Sequence, residues 1–315
     1  MAGAPPTGLR RAGGWQSGSP FHEGEQRAQE RVGVRERIER LGRGMVRDSM
    51  SDEQREFFED LPFVVVGGAD GRGAVWASLL SGSPGFVQAP SPRSLRVVTR
   101  PLPGDPLVEN LGVGAPLGLL GIELPTRRRN RANGRVARLI QGGFELSVEQ
   151  SFGNCKQYIH PRAGTFAAPE ARIAPAGEGA ELSSEALAVL ANTDTSFIAT
   201  SSRHAERGGS EGMDVSHRGG PRGFIHAEAR TGATRVTLPD YYGNFMFNTF
   251  GNLEVNPHAG LLALDFASGR VLSLTGTARV LWDDPRVAAF ENAERLLEID
   301  VQGGWLWRDV LQGWA

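Results

Sequence analysis

Val75-Trp76-Ala77-Ser78-Leu79-Leu80-Ser81-Gly82-Ser83-Pro84-Gly85-Phe86 aligns without a gap with Met213-Asp214-Val215-Ser216-His217-Arg218-Gly219-Gly220-Pro221-Arg222-Gly223-Phe224. The separation is 138 positions (Ser78 to Ser216), and a Ser, a Gly and the closing Gly-Phe coincide. Further on, Leu117-Gly118-Leu119-Leu120-Gly121-Ile122-Glu123-Leu124 aligns with Ala259-Gly260-Leu261-Leu262-Ala263-Leu264-Asp265-Phe266. Here the separation is 142 (Gly118 to Gly260), and Gly134 against Gly276 keeps it. The four-residue change is one loop insertion. Several matches in the same order mark an internal repeat.

Working outward from these stretches, the texture is that of short strands between Gly- and Pro-rich turns. Strands are expected at Phe63–Gly67, Val75–Leu80, Leu95–Thr99, Gly118–Leu124 and Gly134–Ile140, and strand texture returns from Phe197 to about Trp282. Residues 21–60 read as helices: Val32, Val34, Ile38 and Leu41 recur near helical spacing, and Ser51 with Gln54 forms a capping box for a helix over Ser51–Glu59. Its Phe57-Phe58 pair is expected to dock on the first barrel. Ser183–Leu190 is a short helix with a Ser N-cap. The expected organisation is a disordered leader (1–20), N-terminal helices (21–60), a first β copy (61–160), a connection with a short helix (161–192), a second copy (193–283) and a helical tail (284–315). Small β-units leave edges and apolar faces that need cover, and a second copy on the same chain supplies it as a subunit would. The expected fold is mainly β with flanking helices, two tandem barrels forming an internal pseudo-dimer, with any site at their interface shared between the halves.

Composition agrees with a globular chain. The 315 residues include 42 Gly and 19 Pro, which suit turn-rich β structure, and the net charge of −2 calls for neither nucleic acid nor an anionic membrane. No apolar run approaches the roughly 18 residues that a spanning helix needs. The single cysteine, Cys155, excludes an internal disulfide and any multi-cysteine zinc site, and the histidines show no metal-ligand spacing. A cytoplasmic protein without a metal is expected.

The second copy carries Gly212-Met213-Asp214-Val215-Ser216-His217-Arg218-Gly219-Gly220, then Leu238-Pro239-Asp240-Tyr241-Tyr242-Gly243-Asn244, then Phe247-Asn248-Thr249-Phe250-Gly251-Asn252-Leu253 and Asn256-Pro257. These resemble the pyridoxamine 5′-phosphate oxidase-like family of flavin-nucleotide-binding split barrels. The first part of the chain resembles the long, fused branch of that family, in Phe21-His22-Glu23-Gly24-Glu25, Pro62–Gly67, Trp76–Leu80, Thr126–Gly134 and Ser151-Phe152-Gly153-Asn154-Cys155 followed by Gln157-Tyr158-Ile159. The resemblance spans roughly residues 21 to 282. It implies two tandem FMN-binding split β-barrels with the flavin where they meet. Family members include oxidases, reductases, users of other flavin-type cofactors and haem binders, so the cofactor class is implied better than the reaction. Two departures, Arg222 in place of the usual Pro and Lys156 after Cys155, add positive charge near the expected cleft.

Under this reading the chain is an FMN-dependent oxidoreductase acting on a small molecule, with NAD(P)H or a separate reductase as electron partner and with homodimer formation open. A non-catalytic flavin carrier and a haem-binding split barrel are the alternatives, and a deazaflavin could replace FMN. Ser216 and Arg218, two apart on a strand, share a face and offer a hydroxyl and a guanidinium to a phosphate. His217 then points the other way; it is the best single candidate for acid, base or haem ligand, with another histidine open for the last. Asn244, Asn248, Thr249 and Asn252 supply neutral donors at a turn-to-helix junction, and Phe245 and Phe247 could wall a flavin ring. First-copy residues around Trp76 and Ser78 would close the other side. Within Arg127-Arg128-Arg129-Asn130-Arg131, Arg129 and Arg131 are the inward candidates if the run is more than a solvated loop. Cys155 reads as a packing residue, and Trp305, Trp307 and Trp314 as docking anchors.

Overall fold

The computed structural model describes residues 15, 18–153, 155–166 and 174–314. Most of the expected leader, part of the expected connection and Asn154 lie outside the described residues. The chain forms two antiparallel sheets flanked by short helices. The first sheet contains β1 (Phe63–Ala69), β2 (Val75–Ser81), β3 (Val87–Ser91), β4 (Ser94–Val97), β5 (Pro116–Glu123), β6 (Arg128–Ile140) and β7 (Gly143–Gly153), in the order β2-β1-β5-β6-β7-β4-β3. After the short strands β8 (Thr165–Phe166) and β9 (Ala176–Glu178), the second sheet contains β10 (Thr195–Ser201), β11 (Met213–Gly219), β12 (His226–Arg230), β13 (Ala233–Tyr241), β14 (His258–Asp265), β15 (Arg270–Leu281) and β16 (Ala293–Trp307). Its order is β11-β10-β14-β15-β16-β13-β12, with β9 added beside β16.

Counted within each half, the two strand orders are the same. The registers agree as well. Val66 pairs with Ser78 and Leu119, while Ile198 pairs with Ser216 and Leu261. Both sheets carry a bulge at the same place, between Asn133 and Gly134 in β6 and between Thr275 and Gly276 in β15.

Alternation along the strands builds three cores. Val64, Val66, Leu119 and the docked Phe57 and Phe58 fill the first half, and Ile198, Val236 and Leu261 fill the second. The opposite faces (Val65, Leu79, Phe197, Val215, Leu262) join in a core between the sheets, which also takes Trp307 and Trp314. Because β1, β2 and β10 are buried on both faces, they read as apolar runs rather than alternating ones. Glycine is required where the sheets cross. A Cβ on Gly118 would lie 2.8 Å from Asp214 Cα, and one on Gly260 would lie 2.6 Å from Trp76 Cα.

The helices are α1 (Glu23–Arg31), α2 (Arg35–Met45), α3 (Asp52–Glu59), α4 (Ser184–Asn192) and α5 (Asn248–Val255). α3 has the expected capping box and α4 the expected Ser183 cap. None is long and apolar enough to cross a membrane.

The helical tail expected from Asp284 is not what forms. A short 3-10 turn at Pro285–Ala289 leads into β16, a fifteen-residue strand between β13 and β15. The Glu- and Leu-rich composition of residues 293–298 favours helix in isolation, but Leu297, Ile299 and Val301 alternate into the second core and Gly303-Gly304 opposes a helix. The second β unit therefore runs to Trp307, beyond the expected boundary at 283. Strands β3 and β7 also went unread, and the arginines at 128, 129 and 131 lie within β6 rather than on a loop.

Candidate functional site

A cleft opens where the edge strand β11 of the second sheet meets β6 of the first, and the N-terminus of α5 forms its floor. It encloses about 120 Å³ and opens to solvent. Arg129, Arg131 and Asn133 recur at strand spacing on β6 and meet Asp214, Ser216 and His217 on β11.

Arg131 works as a clasp between the halves. Its Nε donates to the Val215 carbonyl at 2.9 Å, Nη1 to Asn248 Oδ1 at 2.7 Å and Nη2 to Ser216 Oγ at 2.5 Å, with the Asp214 carboxylate 3.4 Å away. Its three nitrogens are thus already engaged, and so is the Ser216 hydroxyl, which also donates to Asp214. Both border the cleft, yet neither is free to carry a ligand's charge.

Arg218 is half engaged. Its guanidinium pairs with Asp240 and lies 5.2 Å from the centre of the Phe250 ring, while its Nε is buried without a partner. Arg129 differs from both. Its only hydrogen bond is to His217 Nδ1 at 2.9 Å, and it has no carboxylate partner among the described residues. Burial, reinforced by the neighbouring Arg131, pulls its pKa down to about 10, so it stays cationic at neutral pH.

His217 borders the cleft and packs edge-on to Phe197 with centroids 5.5 Å apart. Burial first, and the Arg129 guanidinium second, hold its pKa well below 6.5. A guanidinium can only donate, so Nδ1 accepts and the neutral ring carries its proton on Nε2. That Nε2–H is buried without an acceptor.

The α5 terminus carries unsatisfied donors. Phe247, at the N-cap with φ 60°, provides no side-chain cap, and Thr249 Oγ1 in the first turn is buried without a partner. Uncapped N–H groups at a helix N-terminus attract negative charge. Of the six non-glycine residues at positive φ among the described residues, Tyr158 (63°), Phe245 (57°) and Phe247 (60°) border this cleft. Such conformations cost roughly 1–3 kcal/mol each and persist where surrounding structure enforces them. They turn aromatic rings to the cleft: Phe245 and Phe247 lie 6.0 Å apart, edge to face, and Tyr158 stacks on Tyr241 at 5.1 Å.

Of the residues expected from sequence, Ser216, His217, Arg218, Asn244, Phe247, Asn248, Thr249, Arg129 and Arg131 all meet here. Asn244 closes a local turn by accepting from the Met246 N–H, and Asn248 bridges Arg131 and Glu25. Asn252 does not reach the cleft. It lies one turn further along α5, where it bonds His22 Nε2 at 2.9 Å and Thr200 Oγ1 at 3.0 Å. Trp76 and Ser78 are also elsewhere. Trp76 donates to Asp70 and Ser78 to the buried Asp105, both inside the first half. The positions aligned with them in sequence, Asp214 and Ser216, instead meet Arg131 of β6. Residues that the sequence reading left without a role are Asp240, Arg295, Tyr241 and Glu25. Asp240 and Arg295 are charges separated by 55 positions and joined only by the pairing of β13 with β16. Reading β16 as a helix hid that contact.

The described structure defines a mainly antiparallel β protein with a cationic, aromatic-walled cleft in the seam between two sheets. No protein-family model matches the chain, and no curated protein does. Among solved structures, HupZ of Group A Streptococcus is similar over 38% of this chain and 90% of its own, at 11% identity and a TM-score of 0.29. A proposed pyridoxamine 5′-phosphate oxidase of Lactobacillus delbrueckii is similar over 39% and 93%, at 17% identity and a TM-score of 0.29. HutZ, the haem storage protein of Vibrio cholerae, is similar over 42% and 91%, at 13% identity and a TM-score of 0.24.

Proposed function

We propose that the cleft binds FMN and that the chain is an FMN-dependent oxidoreductase of the split-barrel type suggested by its sequence motifs. The observation that carries this reading is a convergence: an uncapped helix N-terminus, a cation without a carboxylate and the orphaned Thr249 hydroxyl meet beside aromatic rings. Those are the needs of a phosphate dianion at one end and a planar ring at the other. Arg129, Thr249 and the first N–H groups of α5 would hold the phosphate, with Arg218 beside them. Phe245, Phe247 and Tyr158 would wall the isoalloxazine. When bound, the flavin supplies hydride and electron transfer; the protein binds, orients and shields it from water. The His217 Nε2–H remains a neutral donor for an oxygen or nitrogen of the bound group.

Haem fits His217 less well. Ligation at Nε2 would require the proton to move to Nδ1, where it would oppose the Arg129 N–H. We also infer that the two halves are one β-unit duplicated, on the shared strand order, registers and bulge position.

Adding FMN to the purified chain should restore a visible flavin band and protect against heat. Arg129→Met should weaken FMN binding about tenfold to a hundredfold, the value of one charge-assisted hydrogen bond. Retention unchanged in that variant would overturn the phosphate assignment. Reduction of the bound flavin by NAD(P)H, followed as bleaching, separates an enzyme from a carrier.

A further inference from the structure

A second cavity of about 340 Å³ lies against the first, between the Pro221–Phe224 turn and the loop at Phe290–Asn292. The two share Tyr158 and Tyr241, whose stacked rings form the common wall. We propose that this second cavity is a ligand chamber for a small aromatic carboxylate, the class of substrate that would meet the flavin across that wall; the substrate role rests on the FMN reading above.

The repeat shows which parts of the chamber the fold itself requires. In the first half the corresponding turn is Ser83–Phe86. Gly82 and Gly220 each pack against the Phe four residues on, where an added Cβ would lie 2.6 Å from Phe86 Cβ and 2.7 Å from Phe224 Cγ. Gly85 and Gly223 both take positive φ, at 90° and 79°. Glycine and phenylalanine therefore build the turn in both halves. Position 222 is the difference: Pro84 stands in the first copy and Arg222 in the second. Arg222 is exposed at the chamber and makes no hydrogen bond or ion pair among the described residues. A cation that the turn does not need and the protein does not neutralise is available to a carboxylate.

The walls select an aromatic ring. Phe224 is buried behind the turn, Phe290 packs on His226 with centroids 4.3 Å apart, and Tyr241 closes the side toward the cleft. Asn292, at φ 61°, holds the loop that carries Phe290 against the chamber. Glu291 lies on the same rim and opposes any anion near it, so the ligand's single carboxylate is placed on the Arg222 side.

The test is a titration of the full chain with benzoate, followed by quenching of intrinsic fluorescence, with benzylamine as the charge-reversed probe. Benzoate should saturate the wild-type chain, benzylamine should not, and Arg222→Gln should weaken benzoate about tenfold. Repeating the titration with FMN present should perturb the flavin band. Absence of benzoate binding, equal binding of benzylamine, or unchanged affinity in Arg222→Gln would overturn the chamber. Failure of the FMN reading looks different: no flavin band forms, while benzoate still titrates and still depends on Arg222.

Discussion

Glu25 sits in α1 with almost no exposure, its carboxylate accepting from the His22 N–H at 2.9 Å and from Asn248 Nδ2 at 2.5 Å. Burial outweighs these bonds and the nearby His22, and pushes its pKa from 4.5 up to about 7. The folded chain therefore keeps a proton at pH values where the unfolded chain has released it. The stability this contributes is complete below pH 4.5 and is lost as pH rises toward 7, a swing of roughly 3 kcal/mol at most. Glu25→Gln, neutral at every pH, should gain melting temperature relative to wild type as pH goes from 5 to 8; parallel melting curves across that range would refute the assignment. Arg129 invites a second prediction. A half-buried guanidinium facing Arg131 and Arg218 without a carboxylate costs stability in the ligand-free chain. Arg129→Met should raise the melting temperature, by a change on the order of 1 kcal/mol, while FMN affinity falls. At this scale strand periodicity made Ser216 and Arg218 legible as neighbours on the cleft, but not that Ser216 is engaged by Arg131 and Asp214, that Arg218 pairs with Asp240, or that His217 borders the same cleft. The sequence was illegible where a distant partner decides: nothing local says that Arg131 is spent on the Val215 carbonyl and Asn248, or that Asn252 turns toward His22.

α5 owes its position to α1, and the contact is between glycines. A Cβ on Gly251 would lie 2.4 Å from the Glu25 backbone nitrogen and 2.5 Å from its Cα, while one on Gly24 would lie 2.0 Å from the Gly251 carbonyl oxygen. Gln29 Nε2 adds a bond to the Met246 carbonyl at 3.0 Å, fixing the turn that enters the helix. Gly251→Ala must separate two backbones, so it should cost about 1–3 kcal/mol or more in thermal unfolding and weaken FMN binding in parallel. A fully stable variant with normal affinity would show that α1 does not position the anion site. The Phe21–Glu25 and Phe247–Asn252 motifs could each be read from sequence, but their mutual packing could not, because 223 positions separate Glu25 from Asn248. β16 failed for the opposite reason. The composition of its first half spoke for helix, and pairing between β13 and β15, with the alternation of Leu297, Ile299 and Val301 into the core, makes it a strand.

At the scale of the molecule, the likeness of the two sheets was legible where spacing is kept: the offset of 142 holds for both strands of one hairpin, Gly118 pairing with Asn133 and Gly260 with Thr275. What that spacing does not convey is how far the two seams differ. The position of Arg129 is taken by Val271, that of Arg131 by Ser273, and those of His217 and Arg218 by Leu79 and Leu80. Ser273 repeats part of the Arg131 clasp, donating to the Ala77 carbonyl at 2.9 Å as Arg131 donates to Val215. Around it, Leu79, Val271 and Trp307 are buried in the core between the sheets, and the turn that stands where α5 begins is capped by its own Asp105 side chain. The second seam thus holds packed hydrocarbon where the first has an open cationic cleft, which stabilises the join between the halves and fills the space a phosphate would need. Titration of the chain with FMN should accordingly saturate at one equivalent, and the whole of that signal should shift to weaker affinity in Arg129→Met. Saturation at two equivalents, or a residual tight site in that variant, would mean that the packed seam opens to a ligand and that the asymmetry between the halves is not what sets the stoichiometry.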